Sequence, residues 1–510
     1  VACLSSFSRA DQTARSTDWA RFRGPNGSGV SNAARVPIEF SPTKNLQWRL
    51  PLPAGHSSPI LLGDRIYLTA FRGDTLLTMA IDRRAGKVLW EREAPTVKTK
   101  IIDKRNNPAS PSPAVEADGI YVFFPDYGMV AYDATGKERW KMPLGPFNNI
   151  YGMGASPVIV GDLIVLACDQ STGSFLLAVD KRTGQQKWKT MRPEAKSGHS
   201  TPILWRAPDG RDEILLPGSF LMTAYDAQTG AKRWWVRGLS FEMKSTPVIG
   251  DGVLFINGFG SDQNEPGRRV VVPPAAEVWK TADANKDGLL QRAEFPKFTS
   301  GGWFAIADLD TNGTLTEEEW EYYRAALDSE NGLLAIRLGG KGDMTDKAVV
   351  WKYQRAVPQL PSPLLYRNVL YMVNDGGIVT SINPKTGEVI KQGRLGPAEH
   401  YYASPVAADG HVFFVSEEGK VAVLPPSGDL TPVVVNVLPE YCYATPAFAD
   451  GRLYLRTTDA LYAFGSTPVD RRADVHLSHD RNAAAAWLPA DPDRLAGAFV
   501  YQPLVLAHED

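Results

Sequence analysis

The sequence predicts an all-β fold, an eight-bladed β-propeller with four-stranded blades, and two repeated patterns carry this prediction. The first pattern is a Ser/Thr-Pro dipeptide that recurs with a period of about forty-odd residues, which is the period of a propeller blade. Proline fits the first residue of a strand, because no ladder N–H is lost there. The dipeptides are Ser58-Pro59, Ser112-Pro113, Ser156-Pro157, Thr201-Pro202, Thr246-Pro247, Ser362-Pro363, Ser404-Pro405 and Thr445-Pro446.

The second pattern is a pair of predicted hairpins within each repeat, which together supply four strands. The first hairpin follows the dipeptide, as at the turn Gly161-Asp162 between two apolar runs. The second has the pattern A-x-D-x-x-T-G-x-x-x-W, in which Asp accepts backbone N–H bonds, Gly adopts a positive φ and Trp buries a large apolar face. Its clearest copies are Ala178-Asp180-Thr183-Gly184-Trp188 and Ala224-Asp226-Thr229-Gly230-Trp234.

The N-terminal segment is predicted to complete the last blade. Residues 45–50 resemble a Trp-bearing outer strand without a preceding dipeptide, whereas the last repeat, Thr445 to Gly465, lacks such a strand. Pairing the two would remove an open sheet edge and close the ring. We therefore assign residues 17–260 and 331–465 to the propeller, 1–16 to a leader or signal-peptide remnant, and 466–510 to a C-terminal tail.

The interval between Pro247 and Pro363 is more than twice the usual period, which indicates an insertion at 261–330 in the loop between the second and third strands of blade 5. It contains two matches to D-x-[DN]-x-[DN]-G-x₅-E, the pattern of an EF-hand calcium loop. Position seven supplies a backbone carbonyl and the final Glu binds bidentately. The predicted ligands of two Ca²⁺ ions are Asp283, Asn285, Asp287, Leu289 and Glu294 in the first loop and Asp308, Asp310, Asn312, Thr314 and Glu319 in the second.

Two further features of the insertion predict how its loops are arranged. Position eight is Leu290 in one loop and Leu315 in the other, as expected if the loops pair through a short β-bridge. Only residues 295–307 separate the loops, which is short for two full flanking helices. We therefore expect a small α-helical EF-hand pair of the structural or buffer type, without a large opening motion.

The residues two positions before each Ser/Thr of the dipeptide should occupy equivalent places around the propeller axis. They are polar and aromatic, and similar residues stand close to them in the sequence, so the channel mouth could bind a small polar or sugar-like ligand. The alternative is that these side chains only fill and hydrate a narrow channel. The candidate residues are His56, Tyr151, His199, Lys244, His400, Tyr402 and Tyr443.

The bulk composition excludes some classes of protein. The net charge is −2, which argues against a nucleic-acid partner, and no apolar run is long enough for a transmembrane helix. The chain begins at Val1, and its first ten residues could be the end of a signal peptide, which predicts a periplasmic or secreted protein. A lipid anchor through Cys3 is the alternative.

The dipeptide starts and the Asp-Gly-Trp turns together resemble the pyrroloquinoline-quinone (PQQ) repeat family of bacterial propellers, whose members include quinoprotein alcohol dehydrogenases and the outer-membrane assembly lipoprotein BamB. Residues 22–31 and 333–343 resemble a narrower subfamily of exported bacterial propellers. For a dehydrogenase the resemblance would require a calcium held by a carboxylate and an amide, a catalytic Asp, and often a vicinal Cys-Cys pair. Here Cys442 stands alone between two tyrosines and the ring positions contain no Asp.

The resemblance implies a BamB-like, non-catalytic binding or scaffold protein, with a protein partner or a small polar ligand at the channel mouth. Together with the leader and the two calcium-loop motifs, it predicts an exported, calcium-binding propeller. The missing Asp and Cys-Cys pair disfavour PQQ as a cofactor. Two alternatives stay open, namely a PQQ-dependent dehydrogenase and a carbohydrate-binding module.

Overall fold

Eight antiparallel sheets, each with four strands of the repeat, make up most of the structure, and this confirms the predicted eight-bladed β-propeller. The computed structural model describes residues 19–95, 103, 105–149, 151–268, 270–296, 303–396 and 398–466. The chain divides into two units. The described part of the propeller runs up to Val272 and resumes at Ala325, and the described part of the second unit lies within Pro273–Arg324.

The first seventeen strands form the closing strand and blades 1 to 4. The closing strand is β1 (Leu46–Pro51). Blade 1 contains β2 (Ile60–Leu62), β3 (Arg65–Arg72), β4 (Thr75–Asp82) and β5 (Lys87–Ala94); blade 2 contains β6 (Ala114–Glu116), β7 (Gly119–Phe124), β8 (Gly128–Tyr132) and β9 (Glu138–Pro143). Blade 3 contains β10 (Val158–Val160), β11 (Leu163–Cys168), β12 (Phe175–Asp180) and β13 (Gln186–Met191); blade 4 contains β14 (Ile203–Arg206), β15 (Asp212–Gly218), β16 (Leu221–Asp226) and β17 (Lys232–Arg237).

Blade 5 is interrupted by the second unit. It begins with β18 (Val248–Gly250) and β19 (Val253–Gly258), after which the chain forms α1 (Ala275–Ala282), β20 (Leu290–Gln291), α2 (Phe304–Ala307), β21 (Thr314–Leu315) and α3 (Glu317–Asp328). The blade resumes with β22 (Gly332–Arg337), then β23 (Gly342–Asp343), α4 (Thr345–Ala348) and β24 (Val349–Tyr353). Strand β22 pairs directly with β19, so the residues between them are an insertion in the loop of one hairpin. Strand β23 joins the sheet of blade 4 as a fifth strand, parallel to β17.

The remaining strands complete blades 6 to 8. Blade 6 contains β25 (Leu364–Tyr366), β26 (Val369–Val373), β27 (Ile378–Ile382) and β28 (Val389–Arg394); blade 7 contains β29 (Val406–Ala408), β30 (His411–Val415), β31 (Lys420–Leu424) and β32 (Val434–Val437). Blade 8 contains β33 (Ala447–Ala449), β34 (Arg452–Arg456) and β35 (Ala460–Gly465), and its fourth strand is β1, which pairs antiparallel to β35 with Leu50 opposite Leu461. The N-terminal strand therefore closes the ring, as predicted.

The Asp-Gly-Trp turns and their degraded copies join neighbouring blades at five of the eight junctions. Asp180 Oδ1 accepts backbone N–H bonds from Arg182 and Thr183 at 3.0 Å, and Gly184 has a φ of +72°, as predicted for this turn. The glycine lies against Trp140 of the preceding blade, whose indole N–H donates to the carbonyl oxygen of Lys181 at 3.0 Å. The same glycine-on-tryptophan contact occurs at Gly86 with Trp48, Gly136 with Trp90, Gly230 with Trp188, and Gly387 with Trp351.

The second unit is small and is held together by aromatic side chains. Leu290 pairs with Leu315 across the β20–β21 bridge, which is the pairing that the loop positions predict. Trp320 is fully buried, donates its indole N–H to the carbonyl oxygen of Pro273, and contacts Phe295 and Tyr323. Helix α2, which leads into the second loop, has only four residues. Within the described residues, none of the helices combines the length and the apolar character needed to cross a membrane.

Candidate functional site

A cavity of about 210 Å³ lies on the propeller axis and is bounded by two sets of equivalent residues from the blades. One set is the Ser or Thr of all eight dipeptides, and the other is the residue two positions earlier in each repeat. Other parts of the chain add Phe22, Asp103, Arg105, Asn106, Tyr151 and Gln359. The second set is His56, Ser110, Gly154, His199, Lys244, Leu360, Tyr402 and Tyr443.

The dipeptide hydroxyl groups link the blades into a ring around this cavity. In each link the backbone N–H of one Ser or Thr donates to the side-chain oxygen of the equivalent residue in the next blade, at 2.9 to 3.1 Å. The link from Thr445 back to Ser58 joins the last blade to the first, and seven of the eight junctions have such a link; among the described residues, the exception is the junction between Thr201 and Thr246. The dipeptide therefore serves two purposes, since its proline starts a strand and its hydroxyl bonds neighbouring blades.

A row of aromatic rings forms one side of the mouth. His56 stacks on Tyr443 with ring centroids 4.2 Å apart, and Tyr443 stacks on Tyr402 at 5.6 Å. His400 stacks on Tyr402 at 6.0 Å but does not itself line the cavity. The Tyr443 hydroxyl donates to Glu417 at 2.5 Å, which fixes the middle of the row. We call these four side chains, His56, Tyr443, Tyr402 and His400, the aromatic row.

Two ion pairs stand at the same cavity. Arg105 holds Asp103 with two bonds of 2.8 Å, from Nε and from Nη2, and the Lys244 ammonium lies 2.5 Å from Glu242. Both members of the second pair are buried. Asp103 is the only carboxylate among the cavity-lining residues that the structure describes, and Arg105 neutralises it.

Asp375 is a further acid near the mouth that the sequence analysis did not single out. Its carboxylate accepts the backbone N–H of Gln359 at 3.1 Å. Burial raises the pKa of Asp375, whereas the charges of Lys244, Arg105 and His400 act to lower it. Asp375 follows strand β26 and does not stand at a fixed distance before a dipeptide, so the repeat pattern did not predict that it lies near the cavity.

The two histidines of the cavity are held in the neutral form. Burial, reinforced by the positive charges of Lys244 and Arg105, lowers the pKa of His199 to about 3. Burial and the charge of Arg456 lower the pKa of His56 to about 4. The cavity therefore keeps uncharged imidazoles beside its cations at neutral pH.

We expect the propeller to lose stability as the pH falls from about 6.5 towards 3. Below the ordinary histidine pKa of about 6.5, the unfolded chain takes up protons that His199 and His56 cannot accept in the folded state. Urea unfolding at pH 7 and at pH 5 measures this loss of free energy of unfolding. The loss should be smaller in His199→Gln than in the wild type. His411→Gln, outside the cavity lining, is the control; an identical pH dependence in His199→Gln and the wild type would contradict the assignment.

The N-terminal strap, residues 19–31, crosses the propeller where the first strands of the blades begin. It bonds to blade 1 through Leu61, to blade 2 through Val115 and to blade 7 through Ala407. Between these contacts Phe22 lines the cavity, while Arg21 donates to the carbonyl oxygen of Pro202 and Arg23 to that of Pro363. The strap thus places one aromatic ring in the lining of the cavity, and it places two guanidinium groups next to that lining, against the carbonyl groups that follow Thr201 and Ser362.

Sequence reasoning brought together most of the cavity but not all of it. His56, Tyr151, His199, Lys244, Tyr402 and Tyr443 line one cavity, and His400 packs behind Tyr402. Asp103, Arg105, Asn106 and Phe22 also line the cavity, although the sequence did not predict this. The first three belong to a long connection between blades 1 and 2. Phe22 belongs to the motif at residues 22–31, for which the sequence indicated no position in the fold.

The second candidate site is the loop 308–319 of the second unit. Asp308, Asp310 and Glu319 each place a carboxylate oxygen within 4.8 Å of those of the other two. Backbone N–H groups hold this arrangement, since Gly313 donates to Asp308 at 2.9 Å and Leu309 to Glu319 at 2.9 Å. Asn312 accepts the backbone N–H of Thr314, the position-seven residue, at 2.8 Å. Burial and the charges of Glu319 and Asp310 raise the pKa of Asp308.

The loop 283–294 is arranged differently. Asn285 donates to Asp287 at 2.9 Å and to Gln291 at 3.1 Å, and Gln291 in turn donates to Asp287 at 2.8 Å. Glu294 accepts backbone N–H bonds from Ala284 and Gln291, and Leu289 stands just before β20. Among the described residues, three acidic groups converge in the second loop and not in the first.

The fold and the axial site define a closed eight-bladed β-propeller whose repeats each begin with a Ser/Thr-Pro dipeptide. The chain belongs to the family of the outer membrane protein assembly factor BamB, whose sequence model matches residues 38–205 and 322–464. The matched ranges leave out residues 206–321, which comprise most of the second unit together with the last three strands of blade 4 and the first two strands of blade 5.

Solved structures share the fold at low sequence identity. BamB from Moraxella catarrhalis is 14% identical, with 85% of this chain and 100% of that chain covered and a TM-score of 0.52. A europium-containing methanol dehydrogenase is 10% identical, with coverages of 89% and 98% and a TM-score of 0.58. The quinohemoprotein alcohol dehydrogenase from Comamonas testosteroni is 11% identical, with coverages of 89% and 82% and a TM-score of 0.51. Curated proteins give no match.

Proposed function

We propose that this protein is an exported, non-catalytic binding or scaffold propeller that recognises a protein partner through its channel mouth and carries a calcium-binding module. The observation that carries the proposal is the aromatic row, three of whose four rings line the cavity, while the one carboxylate among the described lining residues is already paired with Arg105. Tyrosine-rich surfaces are typical of protein recognition. Membership of the BamB family supports a partner in outer-membrane protein assembly.

The residues of the cavity do not fit PQQ with an axial calcium. Such a site needs a carboxylate and an amide that face the metal, whereas both oxygens of Asp103 are bound by Arg105 and the Asn106 amide donates to the carbonyl oxygen of Tyr151 at 2.7 Å. The Cys442 thiol is buried, and burial raises its pKa to about 12. This donor set supports the non-catalytic proposal over the dehydrogenase alternative.

The calcium part of the proposal rests on the second unit. Calcium prefers oxygen ligands from carboxylates and carbonyls, and Asp308, Asp310 and Glu319 already converge. We propose that both loops bind Ca²⁺ as an EF-hand pair. In an exported protein, affinities of about 10⁻⁴ to 10⁻³ M would be sufficient. We also propose a periplasmic or secreted location; the leader and Cys3 lie outside the described residues.

The scaffold proposal predicts a discrete crosslink at the channel mouth. Tyr441 is 58% exposed and lies on the connection that carries Tyr443, so a photo-crosslinking residue at this position should trap a periplasmic protein of the source organism. The matched control is the same residue at Val435, which is 44% exposed on β32. A Tyr402→Ala exchange in the Tyr441-labelled protein should reduce the crosslink. Equal labelling from both positions, or no effect of Tyr402→Ala, would contradict recognition at the mouth.

The dehydrogenase alternative is tested on the purified protein. After incubation with PQQ and calcium, we expect neither a bound chromophore nor dye-linked alcohol oxidation. If oxidation appears and is lost in Asp375→Asn, the protein is a quinone-dependent enzyme and the non-catalytic proposal is wrong.

A further inference from the structure

The dipeptide hydroxyl groups form a ring of hydrogen-bond donors without acceptors. Seven of them accept a backbone N–H from the preceding blade, as described above. None of the eight donates a hydrogen bond to a described residue. Each hydroxyl still carries one O–H that can rotate towards an acceptor.

These hydroxyl groups are deeply buried, which makes the missing acceptors significant. The eight residues are between 1% and 4% exposed, from Thr246 at the low end to Ser404 at the high end. All eight line the axial cavity, so their oxygens border one common space. Buried donors are nearly always satisfied in proteins, and the cavity that all eight residues line has room for an acceptor.

The charge next to this ring identifies the kind of acceptor. Arg21 and Arg23 bond the carbonyl oxygens of Pro202 and Pro363, which directly follow two of the hydroxyl residues. Arg23 is completely buried, and its Nε and Nη1 have no partner, nor has Arg21 Nε. Among the described residues, no carboxylate lies within ion-pair distance of either side chain. Burial lowers the pKa of Arg21 to about 10 and that of Arg23 to about 9, so both remain cationic at neutral pH.

Two positive charges without a counter-charge are costly when one is fully buried and the other half-buried, and an anion in contact with them or close to them reduces that cost. Water could satisfy the hydroxyl groups, but it would not neutralise the guanidinium groups. The ion pairs at the cavity wall contribute no net charge, because Asp103 balances Arg105 and Glu242 balances Lys244. These two ion pairs therefore leave the positive charges of Arg21 and Arg23 unbalanced.

We propose that the base of the channel binds a small anion, which accepts hydrogen bonds from the ring of Ser/Thr hydroxyl groups and is held by the charges of Arg21 and Arg23. A halide or a compact oxyanion such as phosphate has the required charge and acceptor capacity. The anion site lies at the base of the cavity, so this proposal does not depend on whether a partner binds at the mouth.

Calorimetric titration of the full-length protein tests the site, with sodium chloride and sodium phosphate as two separate probes at matched ionic strength. We expect saturable binding of one anion per chain for at least one probe, and the probe that binds distinguishes a halide from an oxyanion. Arg21→Met keeps the length of the side chain and removes its charge, so it should weaken binding about tenfold or more. Arg206→Met, which removes an exposed arginine, should leave the affinity unchanged.

A second variant keeps the test decisive if Arg21→Met does not fold. No described residue donates a hydrogen bond to the Thr246 hydroxyl, so Thr246→Val removes one O–H donor without leaving a backbone N–H unpaired. We expect it to remain folded by circular dichroism and to bind the anion several-fold more weakly. The proposal is overturned if the folded wild-type protein binds neither probe, or if it binds one with an affinity that both variants retain.

Discussion

Replacing Gly184 with alanine should lower the free energy of unfolding of the propeller by roughly 2 to 5 kcal/mol. Two effects combine at this position. Gly184 has a φ of +72°, which strains any residue with a Cβ. A Cβ placed there would also lie 2.6 Å from Trp140 of the preceding blade, so the turn and the indole ring would have to separate. Urea unfolding, followed by circular dichroism, measures the loss.

The matched control for Gly184→Ala is Gly161→Ala in the same blade. Gly161 also has a positive φ, of +59°, but a Cβ there would meet nothing within 4 Å. Its substitution should cost about 1 to 2 kcal/mol, from backbone strain alone. Equal losses for the two variants would show that the contact between Gly184 and Trp140 contributes nothing and that blades are joined by other means.

The sequence predicted the blades well, because each is built from local signals. A proline at the start of a strand, an Asp-Gly turn and a returning Trp all occur within one repeat, so the number of blades, the four strands of each blade and the closing role of β1 could be predicted. The contacts between repeats were not readable in the same way. Nothing within one copy of the pattern indicates that Gly184 packs on Trp140, or that Ser362 accepts the N–H of Thr246.

The axial cavity was predictable only where it follows the repeat. Positions such as His199, Lys244 and Tyr402 could be indexed by their distance from the dipeptide, and they line one cavity. Arg105 lies in a connection whose length differs from the other repeats, so its position relative to the axis required the folded chain. Arg21, Phe22 and Arg23 precede the first blade, and only the path of the strap shows that they reach the base of the channel.

Calcium binding should be much more sensitive to Asp308→Ala than to Asp283→Ala. In the second loop the carboxylates of Asp308, Asp310 and Glu319 already converge, so a Ca²⁺ ion meets ligands that need little rearrangement. In the first loop, three bonds join Asn285, Asp287 and Gln291 to one another, whereas the second loop has one comparable bond, from Asn312 to Asp310 at 2.8 Å, so more bonds must rearrange in the first loop before its oxygens can bind a metal. Calorimetric titration of wild type and of each single variant should therefore show two sites of unequal affinity, and Asp308→Ala should remove the tighter one.

The direction of the stability change separates a calcium site from an ordinary acidic turn. At a Ca²⁺ concentration of about one hundred times the dissociation constant, binding should stabilise the second unit by about 2.7 kcal/mol. Asp308→Ala should abolish this stabilisation, while Glu318→Ala, which removes an exposed acid next to a predicted ligand, should preserve it. Without calcium, the burial of Asp308 beside Glu319 and Asp310 is unfavourable to its charge, and this offsets part of the loss of its bonds from the Asn312 and Gly313 N–H groups, so Asp308→Ala should cost less than it does with calcium bound. If Asp308→Ala is equally destabilising with and without Ca²⁺, the convergence of these carboxylates is a feature of the turn and not of a metal site.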